Sequence, residues 1–435
     1  MEIFFDSASQ EWLAYNKKNG LYQKVATVNT GRSIDSYITP SAKAYGVKLG
    51  STFFGKVKKE IAPYMAINTV ADAQNILTLK NCTFNLDTFR AEPHSPDNHA
   101  VAAANVTYIT VRKGGKEAYQ KNIQPWLTFL NSVTQDAEDI KLLQQFIGYC
   151  LTPRTDLQKG LYIIGPGGTG KSTFTHVVTK LLGDYATSSS ANGLANESHS
   201  LERHISSRLI VINEIMRQES TDGIKNIIGE DAITINPKYK KPYSATLPAK
   251  IIVTANNWLH LGDDADNDSW LRRFEIVKFE NSFQDAPDPT LRDRLTTPES
   301  LSAILMWALQ GYVQLFGHPD VPEQPGARAF ELRQSQVQSR LEQSEDANPT
   351  ITFASERLVY REDDDDAASR ASLTDVYEEW ERWADEAGHH RGSRRRFYKR
   401  LESGFKELGW KQVKQIKTMG SRYYTNIYLP GTKLY

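Results

Sequence analysis

The stretch "LYIIGPGGTGKST", Leu161 to Thr173, restricts what this chain can fold into more than any other. An apolar run enters a glycine-rich turn, and the turn opens at once into the amphipathic run "FTHVVTKLLG". The spacing fits G-x-x-x-x-G-K-[ST] at Gly165, Gly170, Lys171 and Ser172, in the strand–turn–helix context that the pattern requires. Gly165, Gly167, Gly168 and Gly170, with Pro166 and Thr169 between them, let backbone N–H groups close around phosphate oxygens. The new helix, beginning at Lys171, Ser172 and Thr173, presents its positive end to the same oxygens. Lys171 is placed to reach the β- and γ-phosphates, and the Ser172 hydroxyl to ligate Mg²⁺. The expectation is an ATP site that uses Mg²⁺.

From about residue 160 to 280, apolar strands alternate with loops and helices, which predicts an α/β core with a parallel sheet. In "SRLIVINEIM" a buried strand runs up to Glu214. An acid at a strand tip can polarise the water that attacks a γ-phosphate, and it can join Ser172 at the metal. The plain alternative is a surface glutamate after a core strand. Asn213 stands where many ATPases keep an aspartate; its amide oxygen can orient a metal-bound water but neutralises no charge. A third apolar strand, "AKIIVTANN", ends in Asn256 and Asn257. An amide there can hold the attacking water, or the pair simply forms a turn. "DNDSWLRRFEIVKF" sets Arg272 and Arg273 before another strand. Arginine's planar, permanently charged fork suits phosphoryl-transfer charge across a subunit boundary. A salt bridge to Glu275 or Asp268 is the structural alternative.

The chain has 435 residues, enough for two to four domains, and a 40% hydrophobic content supports a sizeable core. Its net formal charge is zero, so any nucleic-acid surface must be local. Two distant cysteines, Cys82 and Cys150, form no CxxC pattern, which fits a reducing cytoplasm without disulfide or zinc. No apolar run approaches the ~20 residues that span a bilayer, and the N-terminus lacks a secretory signal. A soluble, cytoplasmic protein with no membrane partner is expected.

Along the chain, residues 1–115 read as a small α+β module and 116–155 as a helical lead-in. Residues 156–316 form the P-loop core, ending in the amphipathic helix "SLSAILMWALQGYVQLF". Residues 317–370, rich in Pro, Gln and Glu and closed by the acidic run Asp363–Asp366, read as a linker. Residues 371–435 offer an acidic helix, a basic helix and a hairpin, the outline of a winged helix. From Gly388 to Tyr435 there are twelve Lys/Arg against two Glu. Arg391, Arg394, Arg395, Arg396, Lys399 and Arg400 crowd the second helix, where a recognition helix would lie. Lys411, Lys414, Lys417 and Arg422 decorate the hairpin beside Tyr423 and Tyr424. DNA binding is the functional reading; pairing with the acidic helix at 378–386 is the structural one.

The order of these parts, from Gly165 to Arg273, resembles the compact AAA+ core of superfamily 3 helicases. Within it, the pattern is similar to the poxvirus-, phage- and plasmid-type primase–helicase family. "LTLKNCTFNLDTFRAEPHSPDNH" resembles that family's N-terminal module, and "WLTFL" with "LLQQFIGYCLT" resembles its helical lead-in. The resemblance implies that Glu214 is the Walker B acid, Asn256 sensor 1, and Arg273 the arginine finger, with Arg272 second. It implies further that "NPKYKKPYSATLPAK" is a hairpin projecting lysines into a channel, Lys240 first, then Lys238 and Lys241. It implies a homo-hexameric ring moving 3′ to 5′ on single-stranded or forked DNA. Many relatives carry a primase domain upstream; this sequence shows no acidic pair of that kind, so a separate primase or polymerase is expected.

Three functions remain open on sequence alone. The chain is a ring helicase, or a nucleotide-switched initiator or loader that binds DNA without processive unwinding, or a P-loop scaffold that has lost hydrolysis. An intact Lys171, Ser172, Glu214, Asn256 and Arg273 set argues against the last.

Overall fold

Five runs rich in branched and aromatic residues assemble into one parallel sheet. In chain order they are Gly160–Ile164, Ala186–Ser188, Leu209–Ile212, Lys250–Ala255 and Phe274–Lys278. In space the order is fifth, first, fourth, third, second, each neighbour parallel to the next. Gly160–Ile164, Leu209–Ile212 and Lys250–Ala255 are buried along their whole length, as strands covered on both faces must be. This computed structural model describes residues 3–7, 9–25, 35–46, 51–69, 74–109, 115–134, 136–215, 219–237, 242–259, 264–321, 325–362, 370–389, 391–418 and 420–430.

The strand order decides where chemistry can occur. Lys250–Ala255 lies between the first and third strands, pairing Ala255 with Ile164 and Val253 with Ile212. The C-terminal tips of all three strands therefore sit side by side. In open parallel sheets that edge is where ligands bind.

Helices hold this sheet in place. Helix Lys171–Leu182 buries Phe174, Val177, Val178 and Leu181. Phe174 stacks on the fully buried Trp126 at 5.7 Å and meets Phe279 edge-on at 6.0 Å. Helix Ala137–Cys150 crosses helix Pro298–Phe316 at a pair of glycines. A Cβ on Gly148 would sit 2.3 Å from the Tyr312 nitrogen, and one on Gly311 2.1 Å from the Gln144 oxygen. Side chains at either position would force the helices apart.

The C-terminal end of helix Ala137–Cys150 meets two buried cations. Arg208 donates to the carbonyls of Leu151 and Ile76. Lys250 Nζ donates to the Thr152, Arg154 and Pro248 oxygens at 2.5, 3.0 and 3.4 Å and lies 4.9 Å from the Tyr149 ring. Burial pushes the Lys250 ammonium down to about 7; Cys150 and Asp156 oppose the shift and Arg208 adds to it. The unfolded chain holds this proton up to an ordinary lysine pKa near 10.4, so the native state gains stability as pH rises from about 7 to 10. Below 7 both states are protonated and the gain is absent. Wild type is expected to gain on Lys250→Met by on the order of 2–3 kcal/mol between pH 6.5 and 9 in paired urea melts. A difference that stays flat across that range would show that Lys250 titrates normally.

The chain divides into two compact units, Met1–Asn257 with Arg273–Arg333, and Trp258–Arg272 with Gln334–Tyr435. The first also holds an antiparallel sheet of Leu21–Lys24, Glu11–Asn16 and Ile3–Asp6, with Ala66–Ile67 added in parallel. The second builds its core from Phe353, Trp380, Trp383, Phe397, Phe405 and Tyr424. Helices Leu373–Glu386 and Arg394–Glu407 carry Ser372 and Ser393 as N-caps. A small sheet follows, with Ser421–Thr425 between Arg370–Ser372 and Gln415–Thr418. No helix among the described residues is long and apolar enough to cross a membrane.

The segment read as a linker differs from expectation. It contains helices Gln334–Ala347 and Thr350–Arg357, both in the second unit. The first has no wide apolar stripe; Gln336 and Gln343 are fully buried, and Gln343 donates to the Leu259 oxygen at 2.9 Å. Buried amides with partners do the packing that composition assigns to solvent.

Candidate active site

The glycine loop leaves the sheet at Ile164 and is shaped for close approach. Gly168 and Gly170 have φ of +77° and +91°, conformations that a side chain would strain. A Cβ on Gly165 would lie 1.9 Å from the Phe279 oxygen. Lys171 is buried and turned back on the loop: its Nζ donates to the Gly165 and Pro166 oxygens at 2.5 and 2.7 Å and approaches Thr169 Oγ1 at 3.5 Å. Burial lowers its pKa, and the charge of Glu214 partly restores it. A cation already ringed by loop carbonyls, under exposed glycine amides, suits a loop that receives a polyanion.

Beside it, Asn213 and Glu214 follow the strand Leu209–Ile212, and both are exposed. Asn213 Oδ1 accepts from Thr175 Oγ1 at 3.3 Å, which ties the strand tip to the helix behind Lys171. Glu214 has φ of +56°, rare outside glycine. The strained turn is held by the neighbouring strand: Glu214 N–H donates to Thr254 Oγ1 and Ile215 N–H to the Thr254 oxygen, each at 3.0 Å. Asn256 and Asn257 follow Ala255 and are exposed at the same edge. Tyr162 OH donates to the Asn257 oxygen at 3.3 Å, so the middle of the first strand also holds the turn after the fourth.

Arg273 ends helix Asp264–Arg273, directly before the strand Phe274–Lys278. Phe274 pairs with Gly160 in parallel register. Arg273 therefore enters the sheet at the opposite end from the glycine loop, a strand length of roughly 13 Å or more away. It is not gathered with the other residues on its own chain. Arg272 is exposed. Glu275, considered as a partner for these arginines, pairs with Lys159 and Arg333.

The strands Ile233–Ile235 and Tyr243–Ala245 pair as an antiparallel hairpin. Lys238, Lys240 and Lys241 at its tip lie outside the described residues.

In the second unit, Arg394, Arg395, Arg396, Lys399, Lys411 and Arg422 are exposed and Arg400 is half-buried. Arg391 instead pairs with Asp385 and, at 3.9 Å, with Glu381 of the acidic helix. Glu402 of helix Arg394–Glu407 accepts from Gln415 Nε2 and, at 3.3 Å, from Tyr424 OH, which locks the hairpin against that helix. Lys417 lies opposite Arg422 across the hairpin ladder.

One residue missed in the sequence belongs to the site. Arg292, in the short helix Leu291–Leu295, donates from Nη2 to Ser172 Oγ at 2.9 Å and from Nε to Thr173 Oγ1 at 3.4 Å. No spacing rule marks it; only the folding of the chain after Phe279 brings it there.

Residues 163–273, from the first core strand to Arg273, match a family of unknown function, DUF5906. Residues 345–430 match a family described as Poxvirus D5 protein-like. Among solved structures, the A form apo structure of the NrS-1 C-terminal region is similar over 98% of this chain and 96% of that one, with a TM-score of 0.50 at 10% identity. Two more structures of that region align over the same shares, with TM-scores of 0.48 and 0.46 at 10% and 11% identity. At such identity the similarity is one of fold.

Proposed function

We propose that this chain is an ATP-dependent replicative DNA helicase of a virus, phage, plasmid or other mobile element. It works as a homo-hexameric ring and moves 3′ to 5′ on single-stranded DNA. The observation that carries this reading is the gathering of the Gly165–Thr173 loop, Glu214 and Asn256 at one sheet edge, with Arg273 at the other end of the same sheet. Arg273 enters the sheet too far from its own loop to reach it, and a neighbour's Arg273 fills that role. The match to Poxvirus D5 protein-like sequences over 345–430 adds support.

Chemically, Glu214 takes the proton of a water held with Asn256. The water oxygen bonds the γ-phosphorus as the β–γ bridging bond breaks, and ADP carries the leaving charge. The loop amides and Lys171 hold the phosphate oxygens, and Arg273 of the adjacent subunit, with Arg272 second, meets the transferring group. Ser172 and Glu214 would hold Mg²⁺, which would supply positive charge to the phosphates. Hydrolysis then moves the hairpins, whose Lys240, Lys238 and Lys241 grip the DNA backbone without reading sequence. Residues 371–435 act as a winged helix whose basic helix and hairpin dock on duplex or forked DNA. The working compartment is the host cytoplasm, and a separate protein supplies primers.

The second reading, an initiator or loader, is favoured by the exposed basic helix, which serves DNA marking as well as translocation. Strand displacement from a forked duplex with ATP and Mg²⁺ separates the two. Wild type is expected to release the strand and Lys171→Ala to fail. Hydrolysis with DNA binding but no release would shift the assignment to the initiator, and absence of all hydrolysis would remove the enzyme assignment.

A further inference from the structure

The chain after the fifth strand folds back over the glycine loop. Phe283 N–H donates to the Gly168 oxygen at 3.0 Å, and Asn281 Nδ2 to the Ser132 oxygen at 2.8 Å. Gln284 closes on the same turn, since a Cβ on Gly168 would lie 2.3 Å from its Cγ. This path delivers Arg292 to the first turn of helix Lys171–Leu182. Its neighbour Arg294 is neutralised by Asp288 at 2.6 Å. Arg292 has no carboxylate partner among the described residues; it bonds the hydroxyls of Ser172 and Thr173 and remains exposed. Its field also reaches along the helix: burial first, then Arg292 and Lys180, hold His176 below the ordinary histidine range.

We infer that Arg292 is a phosphate-positioning residue supplied in cis, held at the loop by Ser172 and Thr173 and contacting the phosphates when ATP binds. The inference depends on the ATP-site reading above. A guanidinium is a planar fork matched to phosphate oxygens, and here it is an unneutralised cation at the rim of a loop built for them. One hydroxyl cannot both accept from a guanidinium at 2.9 Å and ligate a divalent cation on the same side. Loading metal–nucleotide therefore releases Arg292 from Ser172 while leaving it beside the phosphates. It is the cis counterpart of Arg273, which lies too far from its own loop to serve.

The test is equilibrium binding of a fluorescent ATP analogue to the full chain, with ATP turnover, for wild type, Arg292→Ala, Arg292→Lys, Arg294→Ala and Lys171→Ala. Arg292→Ala is expected to weaken binding and raise KM by about tenfold or more, the scale of one charged hydrogen bond. Arg292→Lys is expected to restore part of the loss, and Arg294→Ala to bind as wild type. Unchanged affinity and KM in Arg292→Ala, with binding lost in Lys171→Ala, would overturn the role of Arg292 and leave the ATP site standing. Equal weakening by Arg294→Ala would also overturn it, as the sign of a merely structural loop. Should Arg292→Ala melt early, partial or full recovery of affinity in the folded Arg292→Lys supports a charge contact, and no recovery rejects it. If wild type binds no nucleotide, the ATP-site reading falls and takes this inference with it.

Discussion

Glu214→Gln is expected to slow ATP turnover by about 10²–10⁴-fold, the range for removing a general base, while nucleotide binding survives. Glutamine keeps the size and hydrogen-bonding shape of glutamate but cannot accept the proton of the attacking water. Glu214 is well placed to accept it, because it follows the strand two away from the glycine loop and sits close enough to Lys171 to oppose its loss of charge. Its left-handed backbone costs roughly 1–3 kcal/mol, and such strain persists only where surrounding contacts enforce it. Thr254 provides them from the strand that also carries Asn256. Phosphate release and analogue binding, measured side by side, separate chemistry from affinity. Turnover within a few-fold of wild type in Glu214→Gln would remove Glu214 as the base.

Arg333→Met is expected to lower the stability of the first unit by about 3–5 kcal/mol, as removing one partner from a buried ionic group does. The Arg333, Asp139 and Glu275 side chains are only 4–5% exposed. Arg333 bonds Asp139 through one terminal nitrogen and reaches Glu275 Oε2 and the Ile276 oxygen, at 3.5 and 3.2 Å, through the other. Without the guanidinium, Asp139 keeps Thr134 at 3.4 Å and Glu275 keeps Lys159 at 3.2 Å, but two carboxylates share a space that water barely reaches. Urea denaturation of wild type and variant measures the difference. A loss under about 1 kcal/mol would mean that solvent or rearrangement replaces the pair. The network fastens the strand Phe274–Lys278, which carries Arg273 at its head, to helix Ala137–Cys150.

The local parts of the candidate site are contiguous in sequence, and that made them legible. The glycine loop announces itself between a strand and a helix, and the strands ending at Glu214 and Asn256 are short apolar runs with a polar tip. Their adjacency was expected only through the family resemblance, because strand order is a tertiary property that no local pattern encodes. Arg292 escaped for the same reason: "PTLRDRL" has the composition of an ordinary surface helix, and its link to Ser172 exists only after the chain folds back. Lys250, which opens one apolar strand, and Arg208, which precedes another, find their acceptors only in the fold, among the carbonyls just beyond helix Ala137–Cys150. In 317–370 the polar composition misled, since a glutamine such as Gln343 can be fully buried with its Nε2 bonded to the Leu259 oxygen. Of the basic residues proposed for DNA, Arg391 is engaged by Asp385, whereas Arg395, Arg396 and Lys399 face solvent.

The strand order also has a consequence for how the protein is made. Both hydrogen-bonded neighbours of Gly160–Ile164 come later in the chain, at Lys250–Ala255 and Phe274–Lys278. A nascent polypeptide that ends before Lys250 leaves the strand of the glycine loop with no partner strand. The third strand, Leu209–Ile212, can pair only with Ala186–Ser188 until then. Closing the sheet means inserting the fourth strand between two already synthesised, a non-local step that pays its loop entropy before contacts reward it. The edge that gathers the glycine loop, Glu214 and Asn256 is thus assembled late in biogenesis, when the strand that ends before Asn256 arrives and the one that follows Arg273 completes the sheet.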